Sequence, residues 1–290
     1  MAGLLGAAVL AASVAGATSS QTVIAYGSER GGPGRVHLFG ATTNTRRVLQ
    51  SRSPGMEVTP SWSPNGRQLA IAISDATGQD FDIAVVAANG SGRTRITEGA
   101  AWDEEPDWSP DGKWIAFASD RSGNFEIYLI HPNGKGLQQL TSNQCEDTEP
   151  TWSPDSSRIV FTSRRGGSPH LWMMKANGKG QHRFLKALSS SPAWSSNGRT
   201  IAYVSDADGD DDIFTVGLNG RGVVRLTENS AVSDKEPAWS PDGAMLAFVS
   251  DRDGDQDIFQ MRADGSAVHV LTSGVWTDGA PSWRPSVSKH

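Results

Sequence analysis

The sequence predicts an all-β fold, a six-bladed β-propeller of four-stranded blades whose ring is closed by the C-terminal strand. Three observations predict it: a tryptophan recurring at near-constant spacing, a strand-and-turn pattern repeated between the tryptophans, and two chain ends that each hold part of one repeat. Trp62, Trp108, Trp152, Trp194, Trp239 and Trp283 are separated by 46, 44, 42, 45 and 44 residues. Each stands in a Pro-x-Trp segment, from Pro60-Ser61-Trp62 to Pro281-Ser282-Trp283. Self-similarity at this period marks repeat architectures such as propellers.

The elements follow in order within each repeat. A first strand carries the tryptophan and stops at a tight turn such as Ser109-Pro110-Asp111-Gly112 or Ser240-Pro241-Asp242-Gly243. A second strand is a short apolar run, as in Ile115-Ala116-Phe117-Ala118, Ile159-Val160-Phe161-Thr162 and Leu246-Ala247-Phe248-Val249. Such a run is apolar on both faces and so must be covered on both, as between neighbouring blades. A third strand resembles Glu126-Ile127-Tyr128-Leu129 and ends at a turn such as Asn133-Gly134 or Asp264-Gly265. A fourth ends at Leu140-Thr141, Leu226-Thr227 or Leu271-Thr272. Four antiparallel strands in about 40–45 residues make one blade.

The ends fix the blade count. Residues 22–50 hold a second strand (Ile24-Ala25-Tyr26), a third (Val36 to Phe39) and a fourth (Arg46 to Leu49), with no tryptophan strand before them. Residues 281–285 supply that strand and nothing after it. Joined, they complete a sixth blade and leave no free edge.

Composition narrows the function classes. The chain is 37% hydrophobic and 20% charged, which is too polar for a multi-span membrane protein. A net charge of −6 argues against nucleic acid, whose phosphates call for a dense basic surface. Cys145 is the only cysteine, so no intrachain disulfide and no two-cysteine zinc knuckle can form. Residues 1–20 read as a signal-peptide-like segment, with Leu4 to Val14 apolar apart from Ser13 and Ala15-Gly16-Ala17 in small-x-small form. No Lys or Arg precedes the apolar run, and the competing reading is a disordered or trimmed N-terminus. With residues 21–290 as the propeller, the expectation is a monomer exported to the periplasm or secreted, with no membrane span in the mature chain.

The run Pro-x-Trp-Ser-Pro-Asp-Gly, then Ile-Ala-Phe-x-Ser-Asp-Arg-x-Gly, Ile-Tyr/Phe, Asp/Asn-Gly and Leu-Thr, nearly intact over residues 106–141 and 237–272, resembles the WD-like repeat of TolB propellers. The resemblance spans residues 22–286. It is specific for fold and says less of function, since related repeats occur in peptidase-associated and lyase propellers. TolB itself carries an α/β domain ahead of its propeller, and only the propeller is expected here. The resemblance implies a cell-envelope component that binds protein, as TolB binds an outer-membrane lipoprotein.

Strand connectivity sorts the loops onto two faces. One carries the second-to-third turns and the blade-to-blade loops at 53–59, 99–105, 143–149, 187–191, 230–236 and 275–280. Acidic residues concentrate there: Glu29, Asp75, Asp120, Asp206 and Asp251 share one turn position, and Glu57, Asp103, Asp147, Asp234 and Asp278 stand three residues before each proline. The opposite face carries Arg67, Lys113, Lys135, Arg158, Lys179, Arg199 and Arg221. An acidic channel mouth would steer a basic protein or peptide. The candidate partner-binding residues are therefore Glu57, Asp103, Asp147, Asp234 and Asp278 for steering. Trp102 and Trp276, aromatics beside charges on the same loops, are the candidate anchors. The bland reading is that short turns favour Asp, Asn and Gly for backbone reasons.

A further ring of His37, Asp82, Glu126, His170, Asp212 and Asp257 opens the third strands and is expected to satisfy nearby backbone groups. The six repeat tryptophans, with Trp114 and Trp172, are expected to pack between and within blades. Asp206-x-Asp208-x-Asp210-x-Asp212 and Asp251-x-Asp253-x-Asp255-x-Asp257 suit an oxygen-rich calcium site, although Gly209 and Gly254 fall at the fourth position and not the sixth. The competing reading is a tight hairpin with solvated carboxylates. No Gly-x-Ser-x-Gly or His-Glu-x-x-His occurs, and the histidines are scattered, so neither a catalytic residue nor a cofactor is assigned. A channel-sited carbohydrate-active or other enzyme and a calcium-stabilised scaffold remain the alternatives to a binding module.

Overall fold

The computed structural model describes residues 22–30, 32–49, 54–207, 209–229 and 231–286. The signal-peptide-like segment 1–20 and Asp208 lie outside the described residues, as do parts of the loops at 53–59 and 230–236. The described residues form 24 strands in six four-stranded antiparallel sheets, the six-bladed propeller that the repeat predicts.

Blade 1 is built from both ends: β24 (Asp278–Trp283) lies innermost, followed outward by β1 (Val23–Ser28), β2 (Arg35–Gly40) and β3 (Thr45–Val48). Blade 2 follows in chain order as β4 (Glu57–Trp62), β5 (Gln68–Ser74), β6 (Phe81–Ala87) and β7 (Thr94–Arg95). Blade 3 is β8 (Asp103–Trp108), β9 (Ile115–Ser119), β10 (Glu126–Ile130) and β11 (Gln138–Gln139). Blade 4 is β12 (Asp147–Trp152), β13 (Arg158–Ser163), β14 (His170–Lys175) and β15 (His182–Arg183). Blade 5 is β16 (Ser190–Trp194), β17 (Thr200–Ser205), β18 (Asp212–Gly217) and β19 (Val224–Arg225). Blade 6 is β20 (Asp234–Trp239), β21 (Met245–Ser250), β22 (Asp257–Arg262) and β23 (His269–Val270).

The core lies between blades. Trp62 of blade 2 packs with Ala25, Val36 and Leu38 of blade 1 and with Leu69 and Ile71 of its own blade. Trp108 does the same between blades 2 and 3, among Ala70, Ile83, Ile115 and Phe117. The wedge between radiating sheets thus takes the largest side chain of the repeat. The second strands are buried on both faces, as their unbroken apolar runs require.

Every inner strand breaks register at one place. Thr59, Glu105, Glu149, Ser191, Glu236 and Ala280, each just before the repeat proline, adopt φ between 47° and 54°. In blades 2, 3, 4 and 6 and at β24 the pairing with the second strand skips this residue and the proline. A residue before proline is barred from the right-handed helical region, and proline has no N–H for the ladder, so a bulge is the local solution. Left-handed backbone costs a non-glycine residue about 1–2 kcal/mol. Its recurrence in all six blades shows that the ring imposes it.

Candidate functional site

The bulge residues converge on the axis. Thr59, Glu105, Glu149, Ser191, Glu236 and Ala280, with the prolines that follow them, line a central cavity of about 320 Å³. Three of the six are glutamates, and each reaches around the ring to the next blade. Glu105 Oε2 accepts from the Glu149 N–H at 2.6 Å, and Glu149 from the Ser191 N–H at 2.7 Å and the Ser191 hydroxyl at 2.8 Å. Glu236 accepts from the Ala280 N–H at 2.6 Å. The Thr162 hydroxyl donates to Glu149 at 2.5 Å. Burial, then the charges of Glu149 and Glu104, holds Glu105 well above the usual glutamate range. Glu236 is raised by enclosure within the channel wall and by Glu149, although its side chain is open to the lumen. Asp107, two residues further along the same strand, is pushed up to about 6 by burial.

These shifts have a sign. A carboxyl with a higher pKa in the folded than in the unfolded state adds stability at low pH, and that contribution fades as pH rises through the folded pKa. Glu105→Gln keeps an oxygen for the Glu149 N–H and removes the charge. It is expected to melt above the parent protein at about pH 8, with the gap closing toward about pH 4. Thermal melts across that range check this; a gap independent of pH would mean that charge at Glu105 is not what costs stability.

The steering residues expected from the sequence are not on the surface. Glu57, Asp103, Asp147, Asp234 and Asp278 are fully buried, and four of them face arginines. Three of these form one repeated clamp. In blade 3 the Arg121 Nη2 donates to both oxygens of Asp103 at 2.9 and 2.6 Å, its Nε donates to Ser119, and the guanidinium lies over Phe117 and Tyr128. Arg252 repeats this on Asp234 over Phe248 and Phe259, whereas Arg165, over Phe161 and Trp172, reaches a single oxygen of Asp147. Glu57 meets Arg93 at 2.7 Å. A buried carboxylate paired with an arginine projects little field, so the position of Glu57, Asp103, Asp147 and Asp234 is that of supports within the face. The exposed negative charge around the mouth comes from Glu98 and Glu228, which follow the fourth-strand Thr97 and Thr227, from Glu146 just before β12, and from Glu29 and Asp206.

The third-strand ring is buried, and its aspartates are tied to the fourth strand. His170 meets the Ser168 carbonyl of its own turn at 2.9 Å, and neither ring nitrogen of His37 has a hydrogen-bond partner. The Thr97, Thr227 and Thr272 hydroxyls donate to Asp82, Asp212 and Asp257 while accepting from the next N–H along the third strand. This is what the recurrent Leu-Thr or Ile-Thr accomplishes. Arg95 and Arg225 add ion pairs to Asp82 and Asp212.

Trp102 and Trp276 stand on the acidic face at 36% and 38% exposure. Trp102 stacks on Phe81 with centroids 5.0 Å apart, and its Nε1 donates to Glu104 at 2.7 Å, so one ring face is held and the other is free. Beside Trp276, Val275 is 84% exposed, an apolar contact that the sequence reading passed over. Opposite-face residues Arg67, Lys113, Lys135, Arg158, Lys179, Arg199 and Arg221 are exposed.

Comparisons with known proteins agree with this architecture. The profile of the TolB beta propeller domain matches residues 13–135, 121–189 and 184–289. An uncharacterised protein of Agrobacterium fabrum is 34% identical over 32% of this chain and 30% of its own length. The Tol-Pal system protein TolB of Bordetella pertussis is 30% identical over 35% of this chain and 33% of its own. The chain thus spans about a third of the length of these relatives. The crystal structure of TolB from Acinetobacter baumannii superposes with a TM-score of 0.80 at 26% identity, covering 91% of this chain and 67% of that one.

Proposed function

Because the chain belongs to the TolB β-propeller family, we propose that it is a protein-interaction module that binds a protein or peptide on the face bearing the blade-to-blade loops. The observation that carries this reading is the meeting of two features on one face. Trp102 and the Val275–Trp276 pair offer apolar anchors, and they stand among exposed carboxylates around a channel that Glu105, Glu149 and Glu236 make acidic. A basic, extended segment satisfies both. Glu57, Asp103, Asp147, Asp234 and Asp278 belong to the same face as its buried supports. By the same kinship the site of action is the periplasm, and the partner an envelope-associated protein.

A catalytic reading would place paired carboxylates in the channel. Here the glutamate oxygens already accept from the backbone of the next blade, and the described lining residues include no histidine, lysine or arginine to serve beside them. That arrangement supports binding over hydrolysis.

The test is capture from an envelope extract on the immobilised full chain, followed by titration of the captured protein. Trp102→Ala with Trp276→Ala is expected to weaken binding at least about tenfold, as loss of aromatic anchors does. Glu98→Gln, Glu146→Gln and Glu228→Gln together are expected to slow association at low salt and leave dissociation unchanged. Equal affinity of the tryptophan variant and the parent would remove this face as the site.

A further inference from the structure

The junction where blade 6 meets blade 1 differs from the others. At the junction of blades 3 and 4, Glu126 of one blade and Asp147 of the next are joined by Asn143, whose Nδ2 donates to both at 3.2 and 2.9 Å. Between blades 5 and 6, Asn229 donates to Asp234 at 2.8 Å, and Arg225 and Arg252 neutralise Asp212 and Asp234. Between blades 2 and 3, Asp82 and Asp103 each have an arginine. The corresponding carboxylates at the closing junction are Asp257 and Asp278. Val270 stands where Arg225 would grip Asp257, and Gly274 where an asparagine would bridge the pair. Arg30 stands where Arg121 and Arg252 clamp, yet its Nη2 donates to the Ser273 carbonyl at 2.7 Å.

The result is a cluster of carboxylates whose buried oxygens lack hydrogen-bond partners, with His37, Tyr26 and Arg30 in the neighbourhood of Asp278. Asp278 is fully buried, and neither of its carboxylate oxygens has a hydrogen-bond partner. Asp257 is 1% exposed with Oδ2 unpartnered, and Asp255 Oδ2 is buried and unpartnered as well. Asp253, Asp255 and Asp257 each bring one oxygen within 4.8 Å of the others. The Asp278 N–H donates to the Gln256 carbonyl at 2.7 Å, which docks the start of β24 against this turn, and the Asp278 charge is felt at Asp257. Buried carboxylates without donors are costly, and carboxylates this close repel unless a cation stands among them.

We propose that Asp253, Asp255 and Asp257 of blade 6, with Asp278 of blade 1, form a divalent-cation site of the calcium class that staples the ring where it closes. The donors are all carboxylate oxygens, the set that a hard cation takes. The exposed side of the turn at Asp253 leaves room for the waters that complete a six- to eight-oxygen shell. At the equivalent position of blade 5, Arg225 supplies Asp212 with the cation that Asp257 lacks.

The experiment is calcium alone, titrated into the chelator-stripped full chain and followed by calorimetry and thermal melting. Saturating calcium is expected to raise the melting temperature by several degrees, since a ligand bound only by the folded state stabilises it. Asp253→Asn with Asp255→Asn, at the accessible end of the site, is expected to melt no lower than the stripped parent and to bind calcium at least tenfold more weakly. Asp278→Asn, which removes only the blade 1 ligand, is expected to weaken binding as much. No heat and no shift with the parent would overturn the site, and undiminished affinity in the double variant would place calcium elsewhere. Undiminished affinity in Asp278→Asn would overturn the staple. A stripped protein that gains stability on acidification and none from calcium would show that protons, not a cation, neutralise the cluster.

Discussion

A chain that stops before β24 is expected to lose its cooperative melt. This strand pairs only with β1, through Ile24–Trp283, Ala25–Ser282, Gly27–Gly279 and Ser28–Asp278, and it supplies the whole inner edge of blade 1. Trp283 packs with Ile24, Tyr26 and Phe39 of its own blade and with Ala247, Val249 and Ile258 of blade 6, and its Nε1 donates to the Ala238 carbonyl at 2.9 Å. Removing a buried aromatic of this kind costs about 3–5 kcal/mol by itself. Deleting the strand also exposes the edge of β1 and opens the cluster shared with blade 6, against a total stability of about 5–15 kcal/mol. The truncated chain is therefore expected to aggregate through the exposed edge. The milder Trp283→Ala should fold and melt roughly 6–20 °C below the parent, from about 3–5 kcal/mol at 2–4 °C each. Differential scanning calorimetry on both checks this, and a truncated chain with a sharp two-state transition would show that the other five blades hold without closure.

The second large effect is expected at the arginine clamp. Arg121→Met leaves Asp103 buried and without its cation, and breaking a buried pair from one side costs about 3–5 kcal/mol. Replacing both partners, Arg121→Met with Asp103→Asn, is expected to recover most of that loss, because the penalty lies in the orphaned charge and not in the absent bond. Blade 5 already holds the neutral version: Ser189 stands where the carboxylate would be and Ala207 where the arginine would be. Denaturant melts of the two single variants and the double give the coupling directly. Additive losses would mean that Arg121 matters through its stacking on Phe117 and Tyr128 alone.

The clamp shows how far the sequence could be read. Asp103 and Arg121, Asp147 and Arg165, and Asp234 and Arg252 are each 18 residues apart, and blade 5 lacks both members at once. That joint absence among the repeats was a signal of contact, and it would have moved these carboxylates from the surface to the interior. The blades, their closure and the interblade tryptophans were legible because apolar runs and turns repeat at a fixed period. The channel glutamates were not. Whether the residue before each proline faces the axis depends on a left-handed bulge, and that conformation appears only when six inner strands are brought around one centre. Likewise Val275 gained meaning only from its exposure in the folded molecule.

Ring closure by β24 also has a consequence in time. The Ile24–Trp283 pairing joins the first and last strands of the propeller, so the first of them to be synthesised waits for the last. At about 5–20 residues per second, that wait is roughly 13–50 seconds. Throughout it Ile24, Ala25 and Tyr26, all buried in the finished molecule, present a bare strand edge to whatever is nearby. Local blades can assemble early, because their contacts are close in sequence, while the closing contact must meet the entropy of the longest loop in the fold. Completing the ring therefore comes last in synthesis and carries the largest loop-closure cost of any strand pairing among the described residues.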